Sequence, residues 1–280
     1  MLEESAVNFA CGDARLYGIL HRPPPALPAP ARGVLIVVGG PQYRAGSHRQ
    51  FTLLARALAA GGIPVMRFDY RGMGDSEGER RDFSAVDDDL RAAVDHFIAS
   101  VPGMTEVALW GLCAGATAAG IYAAGDRRVT GLALLNPWIR TDSGIATATL
   151  KHYYRGRLLE RAFWAKLLRG RFDAARALRS ALGLLRAARA PKPAGANTSL
   201  PERLLAALAR FDGRVLVMLS GADLTAQEFD GQASGSDAWR RLLAAPRVTR
   251  HWLDQADHTC SRRAWQDQVA GWTRDWLGSW

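Results

Sequence analysis

At 280 residues, 48% apolar and 22% charged, the chain has the makeup of an ordinary globular protein, long enough for one large α/β domain with an insertion. No apolar run reaches the roughly 18 residues that cross a bilayer, and MLEESAVNFACGDARLYG lacks the basic and apolar regions of a secretory signal. The formal net charge is +9, concentrated between Arg140 and Arg214, where 16 lysines and arginines face five carboxylates; no nucleic-acid reading motif accompanies it, which argues against that class of partner.

Taken in chain order, Ala6–Cys11 and Arg15–His21 read as two short strands joined by the turn Gly12-Asp13. The prolines of 23–30 cannot sit inside a sheet and form a surface connection. GVLIVV, at 33–38, is a continuous apolar run of the kind found in a parallel strand covered on both faces. A helix over 49–60 follows, spaced by Phe51, Leu54 and Leu58 and closed by Gly61-Gly62. Alternation continues with a strand at 63–68, a helix at 83–100, a strand at 105–110, a small-residue helix at 114–124 and a strand at 129–135. Some sixty residues of helical pattern then interrupt it, ending in APKPAGANTS. It resumes with a helix at 201–210, a strand at 214–219, a helix at 237–243, a strand at 247–253 and a helix at 262–277. The pattern predicts a doubly wound, mostly parallel sheet. Residues 1–138 and 200–280 form its core domain, and 139–199 an inserted basic helical cap over the carboxyl ends of the strands.

The chemistry is concentrated at those ends. Gly111-Leu112-Cys113-Ala114-Gly115 stands between a strand and a helix, where a G-x-S-x-G elbow would lift its nucleophile above the sheet; here cysteine holds the central place. At a helix N-terminus the dipole favours the thiolate, which is the reactive form. The competing reading is a buried structural cysteine in a glycine-rich turn. In this fold the order along the chain is nucleophile, acid, histidine. Of the histidines beyond Cys113, His152 falls in the insertion and His251 inside the last strand, whereas His258 lies in the loop after it. The acid expected past the preceding strand is Asp223; Asp230 is too far along, and Asn136, one strand earlier, cannot be a carboxylate. An oxyanion would be held by the amide of Ala114 and by one from Gly39-Gly40-Pro41-Gln42. Pro41 has no N–H, so that donor is Gly40 or Gln42, with Gly40 preferred. In the glycine-punctuated stretch RFDYRGMGDSEG, Asp69 and Arg71 are expected to pair and brace a loop at the rim. Gln42, Tyr43, His152 and Tyr153 are candidate substrate contacts, the last two from the mixed cationic and aromatic run KHYYR, which could equally be a packed amphipathic face.

VVGGPQYRAGSHRQF, RFDYRGMGDSEG, WGLC, LLNPW, KHYY, LSGADLTAQEF and ADHT together resemble the exosortase A system-associated hydrolases of type 1, a branch of the α/β-hydrolase superfamily related to serine aminopeptidase-like hydrolases. The likeness runs from about Gly33 to Thr259. RFDYRGMGDSEG speaks only for the superfamily, while GPQYRAGSHRQF and KHYY are narrower marks. The resemblance implies Cys113 as nucleophile, Asp223 as acid and His258 as base, in a bacterial locus that makes exopolysaccharide and sorts proteins with a C-terminal anchor signal. Ala114-Gly115 departs from the bulkier, acidic pattern of that family and is similar to the elbow of dienelactone hydrolases, which also use cysteine.

The expectation is therefore an α/β-hydrolase with covalent cysteine catalysis acting on an ester or thioester, with no cofactor and no metal. The cap's charge suits an anionic acyl substrate, a membrane surface or an acidic partner, and equally a solvated Arg-rich face with no partner. The same triad would serve an acyltransferase, and a catalytically silent scaffold docking through the basic cap is the rival of a different class. Three scattered cysteines form no disulfide framework and, with no export signal, favour the reducing cytoplasm.

Overall fold

The computed structural model describes residues 3–27, 31–40, 43–140 and 198–280. Glu3–Cys11 (β1) and Ala14–Arg22 (β2) form an antiparallel hairpin, and β2 pairs antiparallel with Val65–Asp69 (β4). All remaining pairings are parallel and involve Arg32–Val37 (β3), Glu106–Leu112 (β5), Val129–Leu135 (β6), Arg214–Ser220 (β7) and Val248–Leu253 (β8). The described residues thus make one eight-stranded sheet in the order β1-β2-β4-β3-β5-β6-β7-β8. This is the α/β-hydrolase fold. The sheet reverses direction of growth at β3, and β5, which carries Cys113 at its end, lies in the middle.

The strands are continuous apolar runs because helices cover both faces. Along β3, Leu35 and Val37 enter one core and Val34 and Ile36 the other, as the period-2 alternation of a strand requires. Gln50–Ala60 (α1) and Arg263–Leu277 (α7) pack on one face through Phe51, Leu54, Leu58, Val269 and Trp276. Asp87–Ser100 (α2), Ala114–Tyr122 (α3), Leu200–Arg210 (α4), Leu224–Ser234 (α5) and Asp237–Leu243 (α6) pack on the other through Leu90, Phe97, Leu204, Phe229 and Trp239. Each fully buried side chain of this size contributes on the order of 1.5–3 kcal/mol.

Two differences from the sequence reading have plain causes. The helix expected over 83–100 is split, because Asp82 caps a 3-10 turn at Phe83–Ala85 before α2 starts at Asp87. The helix α5 starts directly after Asp223, between the strand at 214–219 and the helix at 237–243, where the sequence pattern predicts no element. The proposed boundaries of the cap, at 139 and 199, enclose residues 141–197, which lie outside the described residues.

The loop after β3 is tied down by buried ions. Arg44 pairs with Asp69 through its guanidinium and donates its backbone N–H to Asp69 Oδ1 at 2.7 Å; Asp69 is completely buried. Arg67, also buried, donates to the Arg44 carbonyl at 2.8 Å and to His21 Nε2 at 2.9 Å. Burial holds His21 down at about 4, so it is a neutral acceptor. The expected Asp69–Arg71 pair does not form: the chain turns directly after Asp69, with Met73 N–H donating to the Tyr70 carbonyl, and Arg71 is carried to Asp89 on α2 at 2.8 Å. Asp69→Ala would leave Arg44 without its buried partner. Its expected cost is about 3–5 kcal/mol, read as a fall in the urea midpoint; a loss below ~1 kcal/mol would mean the pair does not brace the loop.

Candidate active site

Between β5 and α3 the backbone turns sharply. Cys113 has φ 58 and ψ −123, a conformation that costs a non-glycine residue on the order of 1–3 kcal/mol. Hydrogen bonds hold it there: its N–H donates to the Leu135 carbonyl at 2.9 Å, and its carbonyl accepts from Thr117 and Trp138. The turn also needs close backbone approach. A side chain on Gly115 would meet the Val37 carbonyl oxygen at 2.3 Å, and one on Gly39 would meet the Gly115 nitrogen at 2.2 Å. These contacts seat the end of β3 directly on the first turn of α3. The thiol is half-buried and free.

Ala114 is the first residue of α3, so its N–H has no partner within the helix. Gly40 follows Gly39 with φ 58, and open space surrounds the position where a side chain would be. Neither amide donates to another group among the described residues. The two candidate oxyanion donors are thus brought to neighbouring turns by the Gly39–Gly115 contact. The alternative donor Gln42, with His152 and Tyr153, lies outside the described residues. Tyr43 is 45% exposed; its hydroxyl donates to Asp75 at 3.0 Å and its ring lies under the Arg44 guanidinium.

Asp223 and His258 meet. His258 Nδ1 is 2.8 Å from Asp223 Oδ2, leaving Nε2 for the thiol side. Asp223 is at once the N-cap of α5, accepting from Thr225 and Ala226 N–H groups at 3.1 and 3.2 Å. One carboxylate thus caps α5 and contacts the imidazole at the same time. Hydrogen bonding to Asp223 first, and to Cys113 second, lifts His258 from its ordinary 6.5 to about 10. His251, as expected, is fixed in β8, its ring stacked on Trp272, and Asp230 sits on α5 facing Arg250.

Asn136, passed over in the sequence because it is not an acid, organises the floor of the site. It is fully buried with φ 48. Its Nδ2 donates to Ser220 Oγ at 3.0 Å and to the His258 carbonyl at 3.1 Å, while its Oδ1 accepts the Ser220 N–H at 2.8 Å. One amide thus links the ends of β6 and β7 to the histidine loop. The only sequence signal was its place at a strand end, with Asn being one of the few residues that tolerate a left-handed backbone. Asn136→Asp puts an acceptor against the His258 carbonyl and is expected to cost about 1–3 kcal/mol in urea unfolding. Retention of full stability would show that these bonds contribute nothing.

Comparison with known proteins agrees with this architecture. A family model described as serine aminopeptidase, S33, matches residues 29–181, more than half of the chain. Human protein ABHD12B is 35% identical over 78 residues, which are 28% of this chain and 20% of that protein, so the chain matches about a fifth of the length of this curated relative. Among solved structures, the Pyrococcus furiosus esterase Pf2001 is similar with a TM-score of 0.66 at 15% identity, over 100% of this chain and 93% of that one. A dienelactone hydrolase from Anabaena variabilis gives a TM-score of 0.62 at 15% identity over 100% and 98% of the two chains. XC6422 from Xanthomonas campestris, described as an α/β serine hydrolase without lid, gives 0.59 at 19% identity over 99% and 95%. With the family match, the sheet order and the strained strand–helix turn in agreement, the chain belongs to the serine aminopeptidase S33 family of α/β-hydrolases and carries cysteine at the centre of its G-x-C-x-G elbow.

Proposed function

We propose that this protein hydrolyses an ester or thioester by covalent catalysis, with Cys113 as nucleophile, His258 as proton carrier and Asp223 as the group that orients and charges the imidazole. The observation that carries this reading is the strained backbone of Cys113, which presents a free thiol to an imidazole already hydrogen-bonded to a buried carboxylate. Buried Cys260 also has a positive φ, of 48, so the sign of φ alone does not mark a nucleophile; Cys113 is marked by φ 58 with ψ −123 at the strand–helix turn and by the Asp223-bonded imidazole beside it.

In the proposed cycle the thiolate attacks the carbonyl carbon and the electron pair moves to oxygen. The amides of Gly40 and Ala114 stabilise that oxyanion. On collapse, the imidazolium of His258 gives its proton to the departing alkoxide or thiolate, leaving an S-acyl enzyme. Water, deprotonated by His258, then attacks the acyl carbon; the acid leaves and the Cys113 thiolate and imidazolium return. A sulfur nucleophile exchanges readily with other thiols, so a thioester is the preferred substrate class and an ester the next. Esterase descriptions among the solved relatives support the same class of bond.

The biological setting belongs to the same proposal. The GPQYRAGSHRQF and KHYY motifs support a place in an exosortase-associated, exopolysaccharide-producing locus. Three free cysteines suit a reducing cytoplasm, and among the described residues no helix is long and apolar enough to cross a membrane. Residues 139–199 would act as the substrate-selecting cap on the core of 1–138 and 200–280.

The test is a panel of acyl thioesters and p-nitrophenyl esters, quenched with acid and examined by peptide mass spectrometry. An acyl group on Cys113 during turnover is the expected result. Turnover with the acyl group on another residue, or on none, would overturn the cysteine mechanism; an acylated hydroxyl product in the presence of sugar acceptors would identify the reaction as transfer.

A further inference from the structure

We propose that the cavity beside Gly40 is an anion subsite, so that the substrate carries a carboxylate or phosphate on a short acyl chain; this rests on the hydrolase reading above. The cavity has a volume of about 290 Å³ and is lined by Gly40, Tyr70, Arg80, Arg81, Asp82 and Phe83. It shares Gly40 with the proposed oxyanion pair. A group in the cavity and a carbonyl at Cys113 would therefore belong to one compact substrate, at the small end of ligand-pocket sizes.

Its polar lining is dominated by donors. Arg80 and Arg81 have no ion-pair partner among the described residues, whereas Arg44, Arg71 and Arg128 each hold carboxylates. The one acid in the wall, Asp82, uses Oδ1 to accept the Ser84 N–H at 2.9 Å. Tyr70 is 2% exposed, and its hydroxyl makes no hydrogen bond among the described residues. Burial raises it to about 12, so it remains an O–H donor across the working pH range. The Tyr70 hydroxyl, with no acceptor among the described residues, and two exposed guanidinium groups without an ion-pair partner line one cavity, and an oxyanion would complete that set.

The loop that carries the arginines is built, not loose. Gly72 has φ 71, its N–H donates to the Glu77 carbonyl at 3.1 Å, and a side chain there would meet the Arg80 nitrogen at 2.2 Å. The backbone of Arg80 thus packs directly on the turn after β4. Arg71, beside that turn, is locked to the buried Asp89 of α2. The guanidinium groups can fork onto either a planar carboxylate or a tetrahedral phosphate, and the shared demand is for an oxyanion.

The experiment compares three thioesters of one thiol: glutaryl, 3-phosphonopropionyl and neutral valeryl. Wild type is expected to prefer at least one of the anionic acyl groups, the better of the two naming the anion. In Arg80→Gln/Arg81→Gln, the kcat/KM ratio of that anionic substrate to valeryl should fall about 10- to 100-fold, mainly through KM. Tyr70→Phe should lower the same ratio by a smaller factor. No preference for either anion in wild type, or an unchanged ratio in the double variant, would overturn the subsite. Calorimetric titration with glutarate and with inorganic phosphate separates the two proposals. Binding lost in the double variant, from a protein that cleaves none of the thioesters, would retain the subsite and sink the hydrolase reading. Cleavage without binding or anionic preference would do the reverse.

Discussion

Cys113→Ala is expected to lower kcat/KM by about 10³- to 10⁶-fold on every ester and thioester the protein cleaves, the range seen when a nucleophile is removed from a triad. Stability should hardly change, because alanine at φ 58 is as strained as the cysteine it replaces. Cys113→Gly is the sharper companion. It relieves the backbone, and its unfolding free energy should rise by up to about 1–3 kcal/mol while activity stays at the alanine level. A gain in stability at the expense of all turnover identifies the strain as functional. If Cys113→Ala keeps wild-type kcat/KM, the cysteine mechanism fails outright, and a stable, inactive wild type would favour the scaffold reading. Cys113→Ser tests the chemistry. A serine hydroxyl is a far weaker acid than a thiol, so His258 would have to act as a neutral base while its hydrogen bond to Asp223 still favours the protonated form. The serine variant is therefore expected to be much weaker than wild type, even though a related structure is described as a serine hydrolase. Simple exchange of nucleophile is not enough; the histidine must be retuned with it.

What the sequence made legible follows from which forces are local. Strands such as GVLIVV declare themselves by unbroken apolar composition, and Asp223 and His258, each placed just past a strand in the sequence, do meet in the structure. The first turn of α5 was missed although Asp223 has the residue type of an N-cap, because the following LTAQEFDGQAS has weak amphipathic spacing and contains glycine. Arg44–Asp69 was illegible for a different reason: the partners are 25 residues apart and on different elements, and a charge pattern does not say which carboxylate a guanidinium will find. The sequence favoured Arg71 because it was near; the turn at Tyr70–Met73 removed it to Asp89. Asn136 shows the same limit at the site itself. Its amide bonds to Ser220 and His258 depend on three strand ends converging, which no local pattern encodes. Gly40 could be named from the oxyanion requirement, but the contact that places it, Gly39 on Gly115, is visible only as a backbone approach.

Asp223→Asn should lower kcat/KM by about 10²- to 10⁴-fold while leaving the fold intact, since asparagine caps a helix nearly as well as aspartate. Its pH dependence carries the argument. In wild type the imidazolium must be present to protonate the leaving group, so kcat/KM should fall on an upper limb near pH 10, where His258 releases its proton. Hydrogen bonding to Asp223 is the largest cause of that raised value, so the limb should move down toward neutrality in the variant. The sign for stability is the same. His258 is raised from 6.5 to about 10 on folding, so the native state binds this proton more tightly than the unfolded chain. That contribution is complete below pH 6.5 and is lost as pH rises through 10. The wild-type urea midpoint should therefore decline between pH 7 and 10, and Asp223→Asn should start lower and decline less. Parallel profiles for the two proteins, in both activity and urea midpoint, would mean that Asp223 caps α5 and does nothing for the histidine. A downward shift of the activity limb with the helix preserved would make it the third member of the triad.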